Sequence, residues 1–426
     1  MKYLSATTFV LFLLGCQACG SSAAGVDANP CPLEVAPPWP TPTESATIVF
    51  DREITLEPIF GYGFPMNVAI FPKANGNLAL FTWWIYFELD RDGTVLARVP
   101  YADPGGGTMA RAYSVAAGAT NTAVALASGA RTFACVVRAD GAVDTASCHI
   151  LYEVDSKLVP LSWTGQEFVA LTRLRPDSIV HAHVFDESMQ LVRENDLWTS
   201  TDPYLGLGGQ SGLASLGNLN VVCSQAAHND RDGGSNRCTT DFAVTFPSSL
   251  DPAQVRHTDL LPLEVQGGLC RAVASPDRVA LFHHARCYWA NPGGLCQDYP
   301  ATDPTYDRRA WYLTLLDPTG TPVLLRKSIG VNGTPGTFWD GERFVLIWGD
   351  IHDTRAWAFD SDGNTLLENV DIALQPAAGE NELLSEPVVA TLGPNDYILV
   401  YGMSPGDRTG FARFSLPAPP AQKPKP

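Results

Sequence analysis

Two ten-residue stretches, WTGQEFVALT from Trp163 and WDGERFVLIW from Trp339, are copies of one pattern. Each sets a Gly turn before a short apolar strand. A second strand follows and ends in an acidic or Gly turn: HAHVFDES after the first, RAWAFDSDGNTL after the second. Five weaker copies keep the order. ANGNLALFTWW leads to IYFELDRDGTVL, TNTAVALAS to FACVVRADGAV, LGNLNVVCS to DFAVTFPSSL, SPDRVALFHH to AWYLTLLDPTG, and GPNDYILVYG to GFARFSL. A supersecondary unit repeated at this period cannot bury its apolar faces alone and must stack on its neighbours. The copies recur at roughly 44 to 64 residues, where a four-stranded blade with short loops needs about 40–50.

The strands are rich in β-branched and aromatic residues and are bounded by Gly, Pro, Asn and Asp. No amphipathic helical period stands out. A strand before each Gly turn (PVVATL at Pro387) and one after each acidic turn (TVLARV at Thr94) complete four per copy. The pattern resembles a seven-bladed β-propeller over residues 46–416, so the expected fold class is all-β. The last copy stops after GFARFSL and lacks its fourth strand. The segment TIVFDREI at Thr47 is expected to supply it and close the ring by pairing the two chain ends. The competing architecture is a pair of β-sandwiches. The Trp-Asp and Gly-His signature of WD40 repeats is absent: Trp339-Asp340 precedes a strand rather than ending one.

The N-terminus points to export. Lys2 precedes an apolar run from Leu4 to Leu14, too short to stay in a bilayer as a span. The run ends in Leu13-Leu14-Gly15-Cys16, which resembles a bacterial lipobox. The resemblance implies a signal peptide at 1–15, lipid on Cys16 and anchoring by several acyl chains. Gln17 in place of Asp implies the outer membrane, with the protein facing the periplasm or the cell surface. A Pro-rich tether (16–45) and tail (417–426, PAPPAQKPKP) flank the repeats. Taken together, the chain is similar to the divergent propeller lipoproteins of myxobacteria and related deltaproteobacteria.

The formal net charge is −17 and no basic run occurs, which excludes nucleic acid as the main partner. Contact with membrane is expected through the lipid alone. Nine cysteines remain beside Cys16, as expected for an oxidising compartment. Close pairs bracketing turns read as local disulfides: Cys135 with Cys148, Cys223 with Cys238, and Cys287 with Cys296. Cys19, Cys31 and Cys270 have no assigned partner, and the odd count leaves a free or interchain thiol.

Catalytic signatures are missing. Gly209-Gln210-Ser211-Gly212 is not a nucleophile elbow, and neither a phosphate-binding loop nor a dinucleotide fingerprint occurs. No cofactor is predicted. Calcium is considered for HNDRDGGSN at His228, where Asp230 and Asp232 match ligand positions, but His228 replaces the first Asp and the twelfth-place Glu is lacking. Asp90-Arg91-Asp92-Gly93 and Asp360-Ser361-Asp362-Gly363 read as hairpin turns rather than calcium sites. His181 and His183, two apart on a strand, share one side and could share a metal; an exposed or hydrogen-bonded pair is the simpler reading.

In a propeller the loops between second and third strands gather on the funnel face. They are minimal in the first two copies and long and polar in copies three to seven. Function sits preferentially on such loops. The expected ligand contacts are Arg175, Asp232, His284, Trp289, Tyr299, Asp350, His352 and Asp407. The leading expectation is a non-enzymatic envelope protein that binds a protein or glycan. The alternatives are a hydrolase acting on sugars or lactones in the funnel, and a structural component of a surface assembly.

Overall fold

A computed structural model describes residues 41–42, 44–56, 67–107, 109–152, 159–174, 179–199, 212–227, 239–260, 265–290, 296–298, 310–329, 336–349, 354–374, 385–403 and 408–418. These residues form seven antiparallel sheets, and the only helical turns among them are Thr145–Ser147 and Pro252–Gln254. In blade 1 the strands run in chain order from the inside out: Asn67–Pro72, Leu78–Thr82, Ile85–Leu89 and Val95–Pro100. Blades 2 to 6 repeat that order over 111–152, 161–199, 212–259, 265–328 and 336–371. Blade 5 adds a small strand, Cys296–Asp298, paired to an overlong second strand, Val279–Ala290. The innermost strands of successive blades touch all the way round, and blade 7 touches blade 1, so the ring is closed. The architecture is a seven-bladed β-propeller.

Blade 7 is closed as the sequence predicts. Its inner strands are Ser385–Gly393, Asp396–Met403 and Arg408–Ser415, and Thr47–Ile54 pairs antiparallel outside the last of these. An exposed final edge is thereby paired, and the ring cannot open without breaking that ladder.

The core is seven layers, one between each pair of adjacent blades. Tyr397, Leu399 and Phe414 of blade 7 pack on Val345, Ile347 and Val370 of blade 6. Phe411, Ile398 and Val400 on the other side of blade 7 pack on Leu78, Leu80 and Phe87 of blade 1. Central strands are therefore buried on both faces. That explains why VLIW and LALF read as continuous apolar runs rather than an alternation.

The outer hairpin of each blade leans on the preceding blade, and one turn position decides how closely. Asp90 Oδ1 accepts the backbone N–H of Asp92 and Thr94, and Asp360 Oδ1 those of Asp362 and Asn364, which is the hairpin-turn arrangement. Gly93, at φ +80°, lies so close to blade 7 that a Cβ would stand 2.6 Å from the Phe411 ring. In blades 3 and 4 the same left-handed position is Met189 and Leu250, both buried. Their side chains fill the layer against blades 2 and 3 instead. The Phe411 ring thus leaves no room beyond Gly at position 93, as the Tyr86 ring does at Gly141, while blades 3 and 4 carry an apolar plug there.

Two disulfides are present among the described residues. Cys135 joins Cys148 within blade 2. Cys223 joins Cys270, with Cα atoms 5.8 Å apart, and ties the second strand of blade 4 to the innermost strand of blade 5. This corrects the local pairing of Cys223 with Cys238. A short loop around Cys223 suggests a local bridge, but a buried cysteine on a central strand meets its neighbour blade first. Cys238 itself lies outside the described residues. In blade 5 the hairpin register pairs Cys296 with Ala290, three residues from Cys287.

Candidate functional site

The funnel face carries the turns between second and third strands and the entry to each innermost strand. Of the contacts expected there, Arg175, Asp232, Tyr299, Asp350, His352 and Asp407 lie outside the described residues, as do Asp230 and Cys16. Trp289 lies on Val279–Ala290, in register with Gln297. His284 sits on the same strand opposite Trp311, half-buried, its ring 5.6 Å from the indole. It therefore belongs to the sheet and packs on an aromatic.

Among the described residues, the complete turns between second and third strands are those of blades 1 and 2. The tight turn of blade 1 is Trp83-Trp84, between Leu78–Thr82 and Ile85–Leu89. Thr82 Oγ1 donates to the Ile85 carbonyl and closes the turn. The Trp83 carbonyl accepts the Ala112 N–H at 2.7 Å and the Trp84 carbonyl accepts the Tyr101 N–H at 3.2 Å, so the turn is pinned to the entry of blade 2. The Arg111 guanidinium lies over the Trp83 ring and 5.0 Å from the Tyr113 ring centre. Trp83, Trp84, Arg111 and Tyr113 are all half-buried. Sequence reasoning passed over this turn because it is short. The signal was present in the doubled Trp, which a two-residue turn does not require.

A second cluster lies at the outer part of the interface between blades 2 and 3. The third strand of blade 3, Ile179–Phe185, puts Ala182 and Val184 toward blade 4, and so His181, His183 and Phe185 toward blade 2. Across the register, His183 pairs with Glu194 and His181 with Asp196 on the outermost strand. From blade 2, His149 on His149–Tyr152 approaches the same spot, its ring 6.3 Å from that of His183. His183 Nδ1 stands 3.4 Å from Glu194 Oε2, and His181 Nε2 stands 3.5 Å from the same oxygen. Asp196 Oδ1 is 2.6 Å from His181 Nδ1.

His183 is only 4% exposed. Burial first, then the neighbouring His181 and His149, push its pKa down to about 3, so the ring is neutral near pH 7. Thr172 Oγ1 donates to the His181 carbonyl and lies 3.3 Å from His183 Nε2. The hydroxyl can donate to that nitrogen or accept from it, according to the tautomer of the ring. The buried Nδ1 of the ring has no hydrogen-bond partner. The sequence placed His181 and His183 on one side of a strand, as the structure does, but gave no pointer to His149 or Glu194.

No protein-family model matches the chain, and no curated protein is similar to it. Solved structures are similar in fold. A chain of the hydrazine synthase of Kuenenia stuttgartiensis aligns with a TM-score of 0.51 at 12% identity, over 83% of this chain and 100% of that one. The WD40 domain of Neurospora crassa Pan2 aligns at 0.48 and 10%, over 89% and 98%. The β-propeller domain of the trilobed protease of Pyrococcus furiosus aligns at 0.44 and 10%, over 82% and 95%. At such identities the likeness concerns the fold alone.

Proposed function

We propose that this protein is a lipid-anchored envelope protein whose propeller serves as a non-enzymatic binding platform for a protein or glycan at the outer membrane. The observation that carries the reading is the Arg111, Trp83, Trp84 and Tyr113 patch, held by backbone hydrogen bonds on the funnel face of a closed ring. Trp, Tyr and Arg are the residues that dominate binding energy where they cluster. A rigid scaffold presents them with little ordering cost on binding. The lipobox-like Leu13-Leu14-Gly15-Cys16 and the Pro-rich segment after it support anchoring at a distance from the membrane.

The test is cross-linking in cells of the full lipidated protein, followed by mass spectrometry, alongside glycan arrays with the purified chain. Capture of one reproducible partner or glycan class is expected. Trp83→Ala with Arg111→Gln should lower it at least tenfold, about 1.4 kcal/mol, with circular dichroism unchanged. Capture indifferent to both substitutions, or no partner of either class, overturns the reading. Radiolabelled palmitate should enter the wild type and not Cys16→Ala; equal labelling overturns the anchor.

A further inference from the structure

We propose that His149, His183 and Glu194 form a zinc-class metal site at the outer rim between blades 2 and 3. The site is independent of the binding patch on the funnel face.

The hydrogen bonds of the cluster leave one buried nitrogen unserved. His183 Nδ1 has no hydrogen-bond partner, and Glu194 Oε2 stands 3.4 Å from it. His181 pairs through Nδ1 with Asp196, and its Nε2 stands 3.5 Å from that same Glu194 oxygen. A buried polar nitrogen without a partner is destabilising. A cation held by His149, His183 and Glu194 would give that nitrogen its partner.

The distances agree with that reading. Zinc binds imidazole nitrogen and carboxylate oxygen at about 2.0–2.2 Å in a tetrahedron, whose edges are then about 3.3–3.6 Å. The His183–Glu194 separation falls on such an edge. One donor atom from each of His149, His183 and Glu194 lies within 4.8 Å of the other two. Neutral imidazoles with one carboxylate suit zinc and similar transition metals, whereas calcium and magnesium prefer oxygen alone. The surroundings also fit. Thr172 Oγ1 lies 3.3 Å from His183 Nε2, where it would accept the far N–H of a ring bound to metal through Nδ1, as outer partners of zinc-bound histidines do. His181, paired with Asp196 through Nδ1, stands with Nε2 3.5 Å from Glu194 Oε2, where an N–H would hold that carboxylate in place. Three protein ligands leave a fourth position, and the exposed Glu194 puts it on the solvent side for water or a partner's donor atom.

The experiment uses the full chain, stripped with chelator, dialysed against micromolar zinc chloride and measured by plasma mass spectrometry and calorimetry. One zinc per chain is expected. His149→Ala and Glu194→Gln should each weaken binding at least tenfold, and Asp196→Asn about tenfold. His257→Ala, at an exposed histidine of blade 4, should change nothing. X-ray absorption of the loaded chain should show a shell of nitrogen and oxygen with imidazole scattering. A sulfur shell would mean the ion sits on cysteines and overturns the site. So would wild-type affinity in Glu194→Gln, or a wild type holding no zinc.

Discussion

Replacing Arg343 by methionine tests whether blades 6 and 7 are locked together by one buried arginine that is ion-paired within blade 6. Arg343 and Asp340 side chains are each 4% exposed and meet at 2.7 Å in the turn between the two inner strands of blade 6. The guanidinium also donates to Asn395 Oδ1 at 2.7 Å and Tyr397 Oη at 2.9 Å, both in blade 7. Methionine keeps most of the volume and removes every donor. Leaving one partner of a buried pair costs about 3–5 kcal/mol. Asp340 would still accept from the Tyr397 hydroxyl and from the backbone N–H of Glu342 and Arg343, so the loss should fall near the lower end, about 3 kcal/mol. The assay is urea unfolding of the full chain, followed by far-ultraviolet dichroism. Asp340→Asn in the Arg343→Met background should recover part of the loss, because the uncompensated charge disappears. A loss below about 1 kcal/mol for Arg343→Met, the range of an exposed pair, would refute the argument. A double variant no more stable than the single one would refute it too.

The same pair predicts a pH effect. Burial raises the Asp340 pKa, but the bonds from Arg343, Tyr397 and the turn backbone outweigh it, and the net folded value is below the ordinary one. A depressed carboxyl stabilises the fold fully above its unfolded pKa of about 3.9 and loses that contribution as pH falls through the folded value. In Arg343→Met the burial loses its main compensation, so the acid unfolding midpoint should move to higher pH.

Two further substitutions probe the packing between blades. Gly141 is left-handed at φ +84°, and a Cβ there would enter the Tyr86 ring, whereas Gly165 at φ +98° has open space around it. Gly141→Ala should cost about 2–4 kcal/mol and Gly165→Ala about 1–2, the difference being overpacking alone; equal losses in urea melts would deny the close approach. Cys270→Ser should cost about 4 kcal/mol by the loop-entropy estimate for a separation of 47 residues. Peptide mapping of the unreduced wild type should recover Cys223 linked to Cys270, and recovery of Cys223 with Cys238 would refute that pairing.

The sequence by itself determined the all-β class, the sevenfold repeat and the strand that closes the ring. These follow from local chemistry: β-branched apolar runs make buried strands, Asp and Gly make the hairpins between them, and a copy short of one strand needs its edge paired. It also put His181 and His183 on one side of one strand. Only the tertiary structure decided what those histidines meet. His149 lies 34 residues before His183 and joins it because blade 2 packs against blade 3, a contact with no local period or spacing to announce it. Cys270 reaches Cys223, and Arg111 reaches Trp83, for the same reason. Strand pattern sets which face a residue takes, but the neighbour on that face belongs to another repeat, and its identity is settled only when the blades stack.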